Sequence, residues 1–184
     1  MLRLMVMSGQ ELPYSQIPDY PKNYSSGNVI GRMIDGLGYR YYWVSENLRE
    51  SDLNYKPSDD CQTALQTLQH IYGLSIAILN APKSEPNIRP IDLTEHCYPE
   101  IRKMTLENLK KASDLVNGKV SEDFENYRVI FKRGNHQYDF PFWNLINGQI
   151  SDALYHTGQL VMMRRASGNP INPKVDVFMG KNKE

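Results

Sequence analysis

Apolar residues recur at helical spacing in four long stretches of the chain. In the first, Ile30, Ile34, Leu37, Tyr41, Val44 and Leu48 follow at intervals of 4, 3, 4, 3 and 4, the stripe of a helix facing a bundle core. Ser25 or Ser26 is placed to cap it. Gly36 and Gly38 inside the stripe weaken helix propensity, which points to close packing or to a ligand at the backbone. After a break at Asn54 to Pro57, Ser58 or Asp59 is the expected cap of a second helix ending near Asn80. Leu65, Leu68, Tyr72, Ile76 and Leu79 form one stripe of it, and Ile71, Leu74 and Ile78 lie roughly opposite. A helix apolar on both sides is expected to be buried. Pro99 suits the first turn of a third helix, whose single apolar face is Ile101, Met104, Leu109, Ala112 and Val116 and which Asn117-Gly118 ends. The fourth is expected to open at Pro141 and run to about Ala166, stopped by Gly168-Asn169-Pro170.

Between these stretches the pattern changes. Residues 1–25 are an irregular lead-in, and residues 81–99, with Pro82, Pro86, Pro90 and Pro99, form a long crossover loop. Tyr127, Val129 and Phe131 alternate with polar neighbours, as do Tyr138 and Phe140 beyond Arg133-Gly134-Asn135, which predicts a short hairpin. The tail, 168–184, reads as extended, with Ile171, Val175, Val177 and Phe178 expected to pack back on the helices. The sum is an all-α fold, a four-helix bundle with a long crossover loop and a small β-hairpin before the last helix, as a single domain over 1–184. A chain of this size buries roughly 70% of its unfolded surface and needs no covalent staples.

Composition narrows the function. The 21 basic and 21 acidic residues cancel, so there is no positive excess to displace counterions from a phosphate backbone and nucleic-acid binding is disfavoured. Cys61 and Cys97 are too few for a disulfide framework and read as reduced thiols, as in a cytoplasmic protein. The apolar start, Met1 to Met7, is short, and Ser8-Gly9 is a poor cleavage site, so no export is expected. No apolar run approaches the ~20 residues of a membrane span.

The fourth helix carries the candidate chemistry. Leu145, Gln149, Asp152, His156, Gln159, Leu160 and Met163 share one face, apolar at its ends and polar in its middle. Asp152 and His156 stand one turn apart, so they form either an ordinary helical hydrogen bond or salt bridge, or half of a metal site with a fixed separation. The apolar company of this face adds to the metal reading without deciding it, because an ionised carboxylate inside a bundle needs a partner. His70, among Leu68, Ile71 and Leu74, is either a third ligand or a core histidine bonded to an acceptor. His96 and His136 fall in a loop and a turn and read as solvated. There is no CxxC, no P-loop, no GxGxxG after a strand and no GxSxG.

The stretch Asp152-Ala-Leu-Tyr-His156-Thr-Gly-Gln159, followed by Met163-Arg-Arg-Ala-Ser-Gly168, resembles the last-helix signature of DinB-like proteins. There, two metal ligands four residues apart precede a Gly-Gln pair and a helix-ending glycine. Leu68-Gln-His70-Ile-Tyr-Gly-Leu74 is similar to the segment that supplies the family's first ligand, and the resemblance spans roughly residues 26–170. It implies a four-helix bundle, often a homodimer, with a divalent metal held by His70, Asp152 and His156. The chain departs from the common pattern at Asp152, where most members have histidine. Two histidines and a carboxylate still make a competent open site, for zinc or nickel in the first place, with iron and manganese as alternatives.

The family includes S-transferases and isomerases that use bacillithiol or mycothiol, and proteins described as metal-dependent hydrolases. The resemblance therefore implies an enzyme acting on a small-molecule substrate, its metal lowering the pKa of a bacillithiol-type thiol cosubstrate or of water. The alternative is a non-catalytic bundle with a structural or relic metal. A nucleic-acid role is suggested by the family's name alone, and the neutral charge speaks against it. Asp35 and Arg40 on the first helix are candidates for the site mouth. A second apolar set on the fourth helix, Ile150, Leu154 and Val161, reads as ordinary core or as part of a dimer interface.

Overall fold

The computed structural model describes residues 11–184; the apolar segment Met1 to Met7 lies outside them. Four long helices form the body. Helix α1 (Ser26–Val44) is capped by Ser25, whose side chain accepts the Asn28 N–H at 3.3 Å. Its predicted stripe is buried from Ile30 to Val44. The helix stops at Val44, and Leu48 packs on the core from the turn that follows. A short helix, α2 (Glu50–Leu53), precedes α3 (Ala64–Asn80). The cap of α3 is Thr63, not Ser58 or Asp59. Thr63 Oγ1 accepts the Gln66 N–H at 3.2 Å and Gln66 Oε1 accepts the Thr63 N–H at 2.9 Å, a reciprocal box that satisfies two otherwise orphaned donors. Ser58 is instead spent in a turn, its carbonyl accepting from Cys61.

Helix α4 (Tyr98–Val116) carries Pro99 in its first turn and ends before Gly118, which turns the chain at φ +79°. Its buried residues are Ile101, Leu106, Leu109, Ala112 and Val116, with Thr105 and Ser113. Helix α1 packs on α4 and on the last helix, and α3 packs on the same two. The core between them is built from Ile34, Leu37, Leu68, Ile71, Ile78, Leu106, Leu109 and Ile150, among others.

The fold is mainly helical rather than all-α. The hairpin is present, with β2 (Arg128–Arg133) antiparallel to β3 (His136–Pro141) around Gly134 at φ +56°. The crossover contributes an unanticipated third strand, β1 (Pro86–Arg89), parallel to β2. Four residues that begin at Pro86 and stop before Pro90 are too few to show alternation, so only the tertiary pairing defines this strand. Between α4 and β2 lies a short helix, α5 (Ser121–Glu125). Pro141 does not open the last helix: it closes β3 opposite Arg128, where an edge strand tolerates a missing N–H. The helical run then proceeds as α6 (Trp143–Leu145), a π-helical turn (Ile146–Ile150) and α7 (Ser151–Ala166). Ile150 is fully buried, and Leu154 and Val161, partly buried, pack against the core.

The tail forms a small hairpin, β4 (Val175–Asp176) with β5 (Lys181–Asn182), held by the Tyr39 hydroxyl, which donates to Asn182 Oδ1 at 3.0 Å and accepts from the Asp176 N–H at 3.2 Å. Ile171 packs on the core as expected. Val177 and Phe178 do not. They sit in the turn between the two strands, where Asp176 Oδ1 accepts the Phe178 N–H, and Phe178 is 92% exposed. Gly38 serves close packing: a Cβ there would lie 2.4 Å from the Tyr14 ring.

The C-terminal ends of α1 and α7 are tied by Arg164. Its buried guanidinium donates through Nη1 to the carbonyls of Trp43, Val44 and Glu46 at 3.1, 3.1 and 2.9 Å, and through Nε to Asn169 at 2.7 Å. Beside it, the carboxylate of Asp52 accepts from Arg49, Ser167 and Asn169, and these bonds hold its pKa well below the usual carboxylate range.

Replacing Arg164 by Met should lower unfolding free energy by roughly 3 kcal/mol, because it strands buried helix-end carbonyls; urea unfolding with an unchanged midpoint would refute the tie. Asp52 is depressed in the folded state, so its contribution is complete above its unfolded pKa of about 3.9 and is lost as pH falls below that through the folded value. Acid titration of stability should therefore show a loss below about pH 4 that Asp52→Asn flattens.

Candidate metal centre

Helices α3 and α7 pack side by side and bring together the three residues singled out in the sequence. Asp152 and His156 stand one turn apart on α7, with Asp152 Oδ1 and His156 Nε2 3.2 Å apart. His70 reaches across from α3 and places its Nε2 3.2 Å from Asp152 Oδ2. Each carboxylate oxygen thus meets one imidazole. The two rings meet edge to face, their centroids 4.6 Å apart. One ligand atom from each of the three residues lies within 4.8 Å of the others, a spacing that could hold a metal ion.

The surroundings differ from those read in the sequence. His70 and Asp152 are not enclosed in the core; their side chains are 42% and 41% exposed, and His156 is 19% exposed. Helix α3 is buried along Leu68, Ile71, Leu74 and Ile78, but Gln66 and His70, one turn apart, form an open edge. The second apolar stripe made α3 look enclosed, yet Leu65, Tyr72, Ile76 and Leu79 are only half-buried. His70 is accordingly not a core histidine. His96 and His136 are exposed, as expected. Asp35 and Arg40 do not join the cluster. Asp35 is buried and accepts the Tyr14 hydroxyl at 2.9 Å, burial raising its pKa, and Arg40 donates to the carbonyl of Gly36.

Gln159, on the same face of α7 as Asp152 and His156, contacts one of the candidate ligands. Its Oε1 lies 2.7 Å from His156 Nδ1. An amide oxygen only accepts, so in this contact Nδ1 donates, and Nε2 is the ring nitrogen turned toward Asp152. His156 Nε2 and the carboxylate oxygen of Asp152 are 3.2 Å apart, close enough for a proton or a metal ion to be shared between them. The donor set therefore fits a positive ion, either a proton or a metal. Gln149, three residues before Asp152, also keeps its Oε1 buried without a hydrogen-bond partner among the described residues.

The π-helical turn directly before Asp152 is the feature that sequence patterning missed. Ser151 Oγ donates to the carbonyl of Ile146 at 2.7 Å, and the widened turn changes the phase of the helix, so that Leu145 and Ile150 both face the core while Asp152 faces the α3 seam. Such turns recur at functional sites. Two grooves flank the cluster. One, of about 460 Å³, runs past His156 and Gln159 to Cys61 and Met163. The other, of about 500 Å³, runs from His70 to Arg89, Phe131, Arg133 and Tyr138. Three ligand atoms with open sides leave room for an exogenous ligand.

The chain matches no family model and no curated protein. Among solved structures it is similar to the crystal structure of a DinB-like protein (YjoA) from Bacillus subtilis, with a TM-score of 0.59 at 14% sequence identity, over 84% of this chain and 99% of that one. At that identity the likeness is one of fold alone. No helix among the described residues is long and apolar enough to cross a membrane. The chain has the DinB-like fold.

Proposed function

We propose that the protein binds one divalent metal ion through His70, Asp152 and His156 and is an enzyme acting on a small electrophilic molecule. The convergence of the three ligand atoms, with His156 oriented by Gln159, carries this reading. A divalent metal in such a site lowers the pKa of a thiol or water ligand and supplies a nucleophile near neutral pH. With a bacillithiol-type thiol the reaction is S-transfer or isomerisation; with water it is hydrolysis. The openness of the cluster supports a catalytic over a purely structural centre, since structural sites are closed by protein ligands.

Each residue has a separable part. Gln159 holds the His156 ring and its tautomer. His70 ties α3 to α7 and completes the donor set. Asp152 contributes the one negative charge, leaving a divalent ion with a net charge of about +1, which still favours an anionic nucleophile. Two imidazoles and a carboxylate suit zinc or nickel, and also iron or manganese.

Elemental analysis of the purified protein should find about one divalent ion per chain, and His156→Ala should lose it; unchanged metal content in that variant sinks the site. Gln159→Leu should retain the fold and weaken metal affinity by roughly 10- to 100-fold. Consumption of a low-molecular-weight thiol by an aryl halide or epoxide, and ester hydrolysis, should each be compared in the metal-loaded and metal-free protein. If neither depends on metal with zinc, nickel, iron or manganese, the enzymatic reading fails.

A further inference from the structure

The groove beside His70 has a chemistry that the metal cluster does not account for. In the register of β1 on β2, Arg89 lies directly opposite Arg133. Alternate residues of a strand share a face, so Phe131 stands on the same side as Arg133, and Tyr138 of β3 pairs with Phe131. These four side chains and His70 line the same groove. Like charges directly opposite on neighbouring strands are unfavourable. The chain nonetheless supplies no carboxylate here: among the described residues neither arginine is in a salt bridge, whereas Arg128, on the same strand β2, is paired with Asp139 at 2.6 Å.

Arg89 is held in place by contacts other than an ion pair. Its Nη2 donates to the carbonyl of Gly73 on α3 at 3.0 Å, and its guanidinium lies 5.9 Å from the Phe131 ring centroid. Burial lowers its pKa. Gly73 is mid-helix, where glycine is less favourable than alanine by about 1 kcal/mol, and a Cβ there would approach Arg89 Nη1 to 3.0 Å. Gly73 follows His70 by three residues, so the guanidinium rests on the helix one turn from the candidate metal ligand.

We infer that this groove binds the oxyanion group, carboxylate or phosphate, of a small molecule, held by Arg89 and Arg133, with its apolar body against Phe131 and Tyr138 and its other end at the His70, Asp152 and His156 cluster. Guanidinium forks match both oxyanions, and about 500 Å³ is ample for a small molecule. The inference rests on the cluster being a reaction centre only for the orientation of the ligand; the anion site itself stands on the arginine pair.

The test is calorimetric titration of the full chain, metal-free and zinc-loaded, with benzoate, phenyl phosphate and the neutral benzyl alcohol. At least one anion should bind, less tightly at higher salt, while benzyl alcohol does not; which anion binds separates the carboxylate from the phosphate source. Arg133→Gln, at an exposed position, should weaken that binding about tenfold, as should Arg89→Met, and Arg89→Lys should recover part of it. Absence of binding by both anions, equal binding of the alcohol, or unchanged binding in Arg133→Gln and Arg89→Met would overturn the inference. Anion binding that disappears in His156→Ala yet survives both arginine variants places the anion on the metal, and the groove site fails while the metal reading stands. Binding that survives His156→Ala and is lost in the arginine variants supports the groove independently of the metal.

Discussion

The position of α7 is the constraint on which the site depends, and one buried guanidinium secures its C-terminal end. Helix termini leave carbonyls without intrahelical partners, and at the end of α1 those of Trp43 and Val44, with that of Glu46 in the turn beyond, are answered by Arg164 from α7. The same end of α7 is held a second time by Ser167 and Asn169 on the Asp52 carboxylate. With that end anchored, the rotation of α7 about its axis is set by packing of Ala153, Thr157, Leu160 and Met163 into the core. Asp152 and His156 are left facing the seam with α3.

The upstream end is arranged differently. A regular helix would carry Leu145 and Gln149 along the same line as Asp152 and His156. The π-helical turn at Ile146–Ile150 breaks that line, burying Leu145 and Ile150 without drawing Asp152 inward. The carboxylate stays partly solvated, which spares it the desolvation penalty of an interior charge. It faces two imidazoles, each 3.2 Å from one of its oxygens. The three acceptors converge on one point because two come from a single helical turn and the third from a neighbouring helix, each set by backbone geometry rather than by a loop.

Around this point the chain distributes its charges unevenly. Some exposed charges have a local partner, such as Lys110 with Asp114 or Arg128 with Asp139. Arg89 and Arg133 are side by side without one among the described residues, and Gly73 gives up helix propensity to let Arg89 approach the α3 backbone. Both departures from local optimisation lie along one groove that ends at His70. Sites commonly violate rules that the rest of a fold obeys, and the coincidence here ties the sheet to the helical seam.

The sequence by itself determined the four long helices, their principal stripes, the hairpin and the one-turn pairing of Asp152 with His156. Those features are local: a stripe from Ile30 to Val44, a Ser25 cap, or the one-turn spacing of Asp152 and His156 follows from the geometry of a single element. Tertiary structure alone decided the rest. Thr63 rather than Ser58 begins α3, since the turn before it has its own hydrogen bonds. Strand β1 exists only because β2 lies beside it. His70 is open rather than buried, because burial depends on which side of α3 its neighbours occupy. The π turn leaves almost no trace in the pattern beyond the weak helix formers Asn147 and Gly148. Arg89 and Arg133, 44 positions apart in the chain, meet only through the parallel register of two strands, a relation that no periodicity within either segment encodes.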